Sequence, residues 1–433
     1  MINVIDLRKD SVPVEQLLNR TQFDYTDVNT AVEEIINTVK KEKDIALKRY
    51  SMQFDGVDLK NFRINEEALE KAFKIIDTSV LKDLKLALKN IKDYHLKQGF
   101  QPFEYTRDDG VILGQKVTPI DTIGLYIPGG TASYPSTVLM NAVPAKIAGV
   151  KKLVMITPPE KSGGIKPSIL VAAKLAGVDE IYALGGAHGI AALAYGTESV
   201  PKVDKIVGPG NIYVSMAKKH VSGDVGIDMI AGPSEILILA DETSNPDYIA
   251  ADLMGQAEHD VLASATLLST SETVAIKVQA SLVKQLPKLS RKTIIETALK
   301  TLGKIVITRN LEESIALANK IAPEHLEILV SDPFSTLKAI QHAGSIFIGP
   351  YTPEPMGDYL AGPNHTLPTS GTARFSSPLS TEDFQKKSAY LFYPKDAFKR
   401  VASSVINLAH EESLTAHANA VDIRLSKDDD DVT

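Results

Sequence analysis

No cysteine occurs in the 433 residues, which removes disulfides, thiolate metal ligands and thiol nucleophiles together. Long basic runs are missing as well. The 47 Lys and Arg stand against 54 Asp and Glu, a formal net charge of −7, so no nucleic-acid partner is expected. The N-terminal residues show no basic region followed by an apolar stretch, hence no secretory signal, and the cytoplasm is the expected location. The longest uncharged stretch, residues 122–145, is interrupted by Gly129, Gly130, Pro128, Pro135 and Pro144, unlike a membrane span of about 20 apolar residues. No membrane contact is expected. The dinucleotide fingerprint G-x-G-x-x-G is also absent.

What is present is ordinary globular composition, 44% hydrophobic and 23% charged, in a chain long enough for about three domains. Residues 30–98 carry apolar positions at helical spacing, among them Val32, Ile35, Ile36, Val39 and Ala46. Short apolar runs then alternate with helical patterns in two series, one from Thr122 to Val207 and one from Glu235 to Ile348. Such alternation predicts parallel sheets flanked by helices. The expected fold is α/β, with two Rossmann-like lobes and helical N-terminal and C-terminal extensions. Residues 1–25 are read as an N-terminal extension, and 26–112 with 235–380 as the first lobe, the early helices packing on its sheet. Residues 113–234 are read as an inserted second lobe, and 381–433 as a helical tail without strands that must lean on a larger body. The run Asp428 to Asp431 reads as a solvated end.

Three glycine-rich loops, Gly129-Gly130, Gly185-Gly186 and Gly208-Pro209-Gly210-Asn211, follow predicted strands of the inserted lobe. Loops at strand ends leading into helices suit phosphate, which points to a nucleotide. Gln256 and His259 are three apart at the end of a helix started by Asn245 and Pro246, so one face can offer both to a metal ion. Glu258 points elsewhere. Glu324 and His325 precede a strand and are the residue types for proton transfer near neutral pH. Asp358 and His365 fall in a long loop rich in Gly and Pro, and such loops usually serve a site. Taken singly, most of these have ordinary surface or turn explanations, as do Glu412 and His417 in the tail. His95, His220, His342 and His410 are read as structural.

Together the segments Gly-Leu-Tyr126-Ile-Pro-Gly-Gly, Gly-Pro-Gly-Asn211, Ala-Gly-Pro-Ser234-Glu, Gln256-Ala-Glu-His259, Ala-Pro-Glu324-His325-Leu, Gly-Asp358-Tyr and Glu412-Ser-Leu-Thr-Ala-His417 resemble the histidinol dehydrogenase family, in the family's order and over nearly the whole chain. The resemblance implies a zinc-dependent, NAD-linked homodimer that oxidises L-histidinol to L-histidine through the aldehyde, in histidine biosynthesis. By motif position, Gln256, His259, Asp358 and His417 would bind zinc, His417 coming from the other subunit by tail exchange. Glu324 and His325 would transfer protons. Ser234, His365 and Glu412 would contact substrate together with His325 and the zinc ligands, and Tyr126, His188 and Asn211 would contact NAD. One departure is His188, in Gly-Gly-Ala-His188-Gly, where the family usually has Gln; a ring edge offers one hydrogen bond where an amide offers two. Two other readings of the same residues are a zinc hydrolase and a metal-binding paralogue that has lost NAD at His188.

Overall fold

The computed structural model describes residues 2–9, 12–13, 26–129 and 133–426. Gly130, most of the 1–25 extension and the run Asp428 to Asp431 lie outside the described residues. The chain divides into two compact units: Met1–Gly99 with Ile120–Phe384, and Phe100–Pro119 with Gln385–Thr433.

The first unit holds two parallel sheets. One has six strands in the order Asn3–Asp6, Lys304–Ile307, Ser264–Ser269, Glu235–Ala240, His325–Leu329, Ser345–Ile348, so the N-terminal extension expected as helical instead supplies an edge strand. Its central strands are continuous apolar runs, such as EILILA at Glu235–Ala240, because helices cover both faces. Ile236 and Ile238 pack with the helices Pro246–Ala257, Glu272–Gln285 and Lys292–Thr301. Leu237, Leu239, Leu326 and Ile328 pack on the other face with Leu317 and Ala318.

The second sheet has five strands in the order Glu180–Ala183, Lys152–Thr157, Thr122–Tyr126, Lys205–Val207, Gly226–Ile227. The chain leaves Thr122–Tyr126 in one direction and returns on its other side at Lys205–Val207, which makes a topological switch point at the ends marked by Tyr126 and Gly208.

The early helices do not pack on the six-stranded sheet, which corrects the expectation that they cover it. Thr26–Glu42 lies on the helices Gly186–Tyr195 and Ile212–Val221, Glu66–Ile75 on Pro167–Leu175, and Thr78–His95 on Pro135–Ile147. Val32, Ile35, Ile36 and Val39 therefore join the core of the five-stranded lobe. The reason lies in that lobe's own helices: in Pro135–Ile147 every residue from Ser136 to Ala145 is buried. A helix apolar all round needs cover on its outer side too.

The second unit is a three-stranded antiparallel sheet, with Ile112–Pro119 between Gln385–Phe392 and Phe103–Thr106, followed by the helices Lys395–Glu411 and Thr415–Ser426. The expectation of a tail without strands is thus corrected. Gln385–Phe392 is a strand of eight residues, almost all exposed, and residues 100–119 belong with it. Among the described residues no helix is long and apolar enough to cross a membrane.

Candidate active site

Four segments converge at the amino ends of two neighbouring strands of the six-stranded sheet. Helix Pro246–Ala257 starts on its Asn245 cap, whose side chain accepts from the Asp247 N–H at 2.9 Å, with Pro246 in the first turn. It ends at the site with Gln256 buried and His259 one turn on, where the His259 N–H closes on the Gln256 carbonyl at 3.2 Å. Helix Glu354–Tyr359 supplies Glu354 and, one turn later, Asp358. One ligand atom each from His259, Glu354 and Asp358 lies within 4.8 Å of the others, a group that could hold a metal ion.

Glu354 was not singled out from the sequence, and its side chain is only 3% exposed. With the Gln256 amide turned to satisfy both of its ends, its nitrogen donates to the two Glu354 oxygens at 2.8 and 3.0 Å, and its oxygen turns to the donor side. The Glu354 N–H is itself held by Glu327 Oε1 at 3.0 Å, and Glu327 is fully buried. The spacing Glu354-Pro-Met-Gly-Asp358 was the available signal, since i and i+4 share a helix face. Burial, then the neighbouring Asp358 and Asp252, pushes the Glu354 carboxyl well above the usual carboxylate range. Burial and then Asp252 do the same to Glu327.

His325 opens the strand His325–Leu329. Its Nδ1 donates to the Glu235 carbonyl at 3.0 Å, which fixes the tautomer and leaves Nε2 as the basic nitrogen. Nε2 is buried without a hydrogen-bond partner among the described residues, 3.8 Å from Glu354 Oε1. Burial lowers the His325 pKa to about 4, so the ring is neutral. Glu324 lies beside it, its Oε2 accepting from the Glu235 N–H at 2.8 Å and standing 3.6 Å from His325 Nδ1. Burial pushes the Glu324 carboxyl well above its ordinary value, partly opposed by that N–H. The chain enters this pair through Ala322 in a left-handed conformation, φ 50°, which a non-glycine residue adopts at a cost of about 1–2 kcal/mol.

Ser234 immediately precedes Glu235, and its carbonyl accepts from the Ser264 N–H at 2.9 Å. His365 joins the two sheets: its Nδ1 donates to the Asp358 carbonyl at 3.0 Å, and its Nε2 meets Thr137 Oγ1 at 3.1 Å. Burial lowers its pKa. Glu412 and His417 lie in the second unit and are exposed. His95 is structural, as expected: it is buried, with Nδ1 on Gln98 Oε1 at 2.6 Å and Nε2 on Asn364 Nδ2 at 3.5 Å.

The other three predicted residues gather at the switch point of the five-stranded sheet. The Tyr126 hydroxyl accepts from the Gly186 N–H at 3.3 Å, and burial pushes its pKa up to about 12. Asn211 caps Ile212–Val221 by accepting from the Val214 N–H at 3.1 Å. His188 is 1% exposed, beneath Tyr50 and Phe54, and neither ring nitrogen has a hydrogen-bond partner among the described residues.

Acid–base side chains and a group that could hold a metal ion gather at one sheet, and a second parallel sheet has a topological switch point, an arrangement that marks an α/β enzyme. The sequence profile described as histidinol dehydrogenase matches residues 18–425. Histidinol dehydrogenase of Bacillus cereus is 55% identical over 401 residues, 93% of each chain, and that of Clostridium acetobutylicum is 52% identical over 410 residues, 95% of each. The crystal structure of histidinol dehydrogenase from Elizabethkingia anophelis superposes with a TM-score of 0.93 at 36% identity, covering 98% of both chains. The chain belongs to the histidinol dehydrogenase family, which places it among the oxidoreductases of histidine biosynthesis.

Proposed function

We propose that the chain oxidises L-histidinol through L-histidinal to L-histidine by two hydride transfers to NAD at a zinc site, as a cytoplasmic homodimer with exchanged C-terminal segments. The observation that carries this reading is His325. Its Nδ1 is committed to the Glu235 carbonyl, while its neutral Nε2, unpartnered among the described residues, stands 3.8 Å from Glu354 Oε1, a member of the group that could hold a metal ion.

The donor set fits zinc. His259, Asp358, the Gln256 amide oxygen and His417 of a second copy offer nitrogen and oxygen ligands with one formal negative charge. Glu354, driven toward its neutral form by burial, belongs to the group that could hold a metal ion, and a cation there would reverse that tendency. The switch point suits a dinucleotide: it has a helix N-terminus at Asn211 and a glycine turn at Gly208, with His188 buried behind it and both ring nitrogens unpartnered among the described residues. Tyr126, His188 and Asn211 would border it. When bound, the zinc ion would hold the amine and imidazole of the substrate, and NAD would take hydride from the carbinol carbon.

His325 accepts the hydroxyl proton at Nε2 in the first oxidation. Without cysteine the aldehyde must be hydrated, and Glu324 takes the proton from the entering water. A carboxyl whose proton affinity burial has raised is the stronger base once ionised. His365 meets the product carboxylate, and Ser234 and Glu412 hold the substrate. Residues 235–380 thus form the metal and substrate half. The sheet of 120–227, with its cover of early helices, forms the cofactor half.

Absorbance of NADH with L-histidinol tests the proposal. Two equivalents per histidinol are expected, none after chelation, and recovery on adding zinc. A hydrolase yields no NADH, and full activity in metal-free protein would overturn the zinc assignment.

A further inference from the structure

Beside the switch point of the five-stranded sheet lies an ion pair that the reaction itself does not use. Lys218, on helix Ile212–Val221, and Asp228, just past the strand Gly226–Ile227, form a salt bridge with side chains 2% and 1% exposed. Both partners grip one residue. Asp228 Oδ2 accepts from the Gly208 N–H at 2.8 Å, and Lys218 Nζ donates to the Gly208 carbonyl at 2.9 Å. Asp228 Oδ1 also accepts from the Met229 N–H at 2.6 Å. Gly208 has φ 114°, and a Cβ there would overlap the Tyr126 carbonyl oxygen. It sits at the switch point, three residues before the Asn211 cap.

We propose that Lys218 and Asp228 are positioning residues for the nucleotide. They lock both peptide groups of Gly208, and with them the Gly208-Pro209-Gly210-Asn211 turn, in the one conformation that presents the start of helix Ile212–Val221 to the cofactor. The role rests on the cofactor reading given above. The attraction between the two charges does not by itself account for the pair, because a buried ion pair replaced by apolar residues of similar size is often neutral or stabilising; what distinguishes this one is the three backbone hydrogen bonds it makes. A fixed backbone geometry does account for it: a positive donor and a negative acceptor, one on each side of a glycine that no side chain of its own restrains. The strand that follows does not depend on the pair. Ser215 Oγ donates to the Ala231 carbonyl at 2.9 Å, and Thr369 Oγ1 accepts from the Gly232 N–H at 2.6 Å, which anchor the approach to Ser234 separately.

The test is calorimetric titration of NAD⁺ and, separately, of L-histidinol into zinc-loaded wild type, Lys218→Met/Asp228→Leu and Lys218→Arg. The double variant removes both charges and the three backbone hydrogen bonds while keeping an apolar filling, and its histidinol titration reports whether the rest of the fold is intact. Its Kd for NAD⁺ should rise roughly 10- to 100-fold, as for a binding group displaced by a fraction of an ångström or more, while its Kd for histidinol stays at the wild-type value. Lys218→Arg should recover part of the NAD⁺ affinity. Unchanged NAD⁺ affinity in the double variant overturns the proposal, as does an equal loss of both ligands, which would mark a merely structural pair. Wild type that binds histidinol but no NAD⁺ overturns the cofactor reading itself, a result separate from either.

Discussion

Changing Glu354 to Gln keeps its size and shape but removes the carboxylate that receives the Gln256 amide nitrogen. The new amide can present either end to Gln256, so the direction of the Gln256 oxygen is no longer fixed. Groups that orient metal ligands are typically worth 10- to 100-fold in metal affinity. Glu354→Gln should therefore weaken zinc binding by roughly that factor, read by competition with a chromophoric chelator, and an unchanged affinity would show that Gln256 orients without it. His188 makes a different residue-scale statement. Burial lowers its pKa from 6.5 to about 3, so below pH 6.5 the unfolded chain binds a proton that the native ring refuses. The stability present above that pH is lost as the pH falls toward about 3, by up to about 1.4 kcal/mol per unit. Between about pH 6 and 4.5, His188→Gln should lose roughly 2 kcal/mol less stability than wild type in urea unfolding without cofactor. Parallel losses in the two proteins would mean that the ring protonates in place.

At the scale of elements, the helix that delivers Gln256 and His259 depends on its far end. Asn245→Ala removes an acceptor for the first-turn N–H groups and should cost about 1 kcal/mol in urea unfolding, without changing the number of zinc ions bound. A cost near zero would mean that Pro246 alone starts the helix. This helix was legible because its signals are local: a cap, a proline and two ligand types three residues apart. Strands such as Glu235–Ala240 were legible for the same reason, as apolar runs between turn residues. The destination of Thr26–Glu42 was not, because an amphipathic stripe reports that a face is buried and not what buries it. The strand Gln385–Phe392 was missed because it opens with Gln-Lys-Lys, lies at a sheet edge and is exposed along nearly its whole length, so it carries no alternation to read. Its partner, Ile112–Pro119, lies far back in the chain. Glu354 shares a helix face with Asp358, a local signal, but the group it orients, Gln256, lies far back in the chain and no sequence pattern joins the two.

At the scale of the whole molecule, the second unit has a deficit of core. Among its described residues the buried apolar side chains are small, Val111, Ala397, Ala402, Ala409 and Ala418, while Phe103, Tyr105, Leu391, Phe392 and Leu408 are each more than half exposed. Exposed apolar groups in such number on about 70 residues ask for another surface. On the proposed reading a second copy of the chain would be that partner, and it would also explain why a metal-ligand type, His417, stands exposed on Thr415–Ser426. Two-fold symmetry would then build two equal sites, each from one chain's first unit and the other chain's second. Neither His259→Ala nor His417→Ala should turn over histidinol alone. Unfolded together and refolded, the two variants should form heterodimers with one complete site, made of the His417→Ala first unit and the His259→Ala second unit. Random pairing puts about half of the dimers in that class with one of two sites intact, so about a quarter of the wild-type rate should return. If the mixture stays inactive under conditions that restore refolded wild type, His417 serves its own chain and the exchange is wrong.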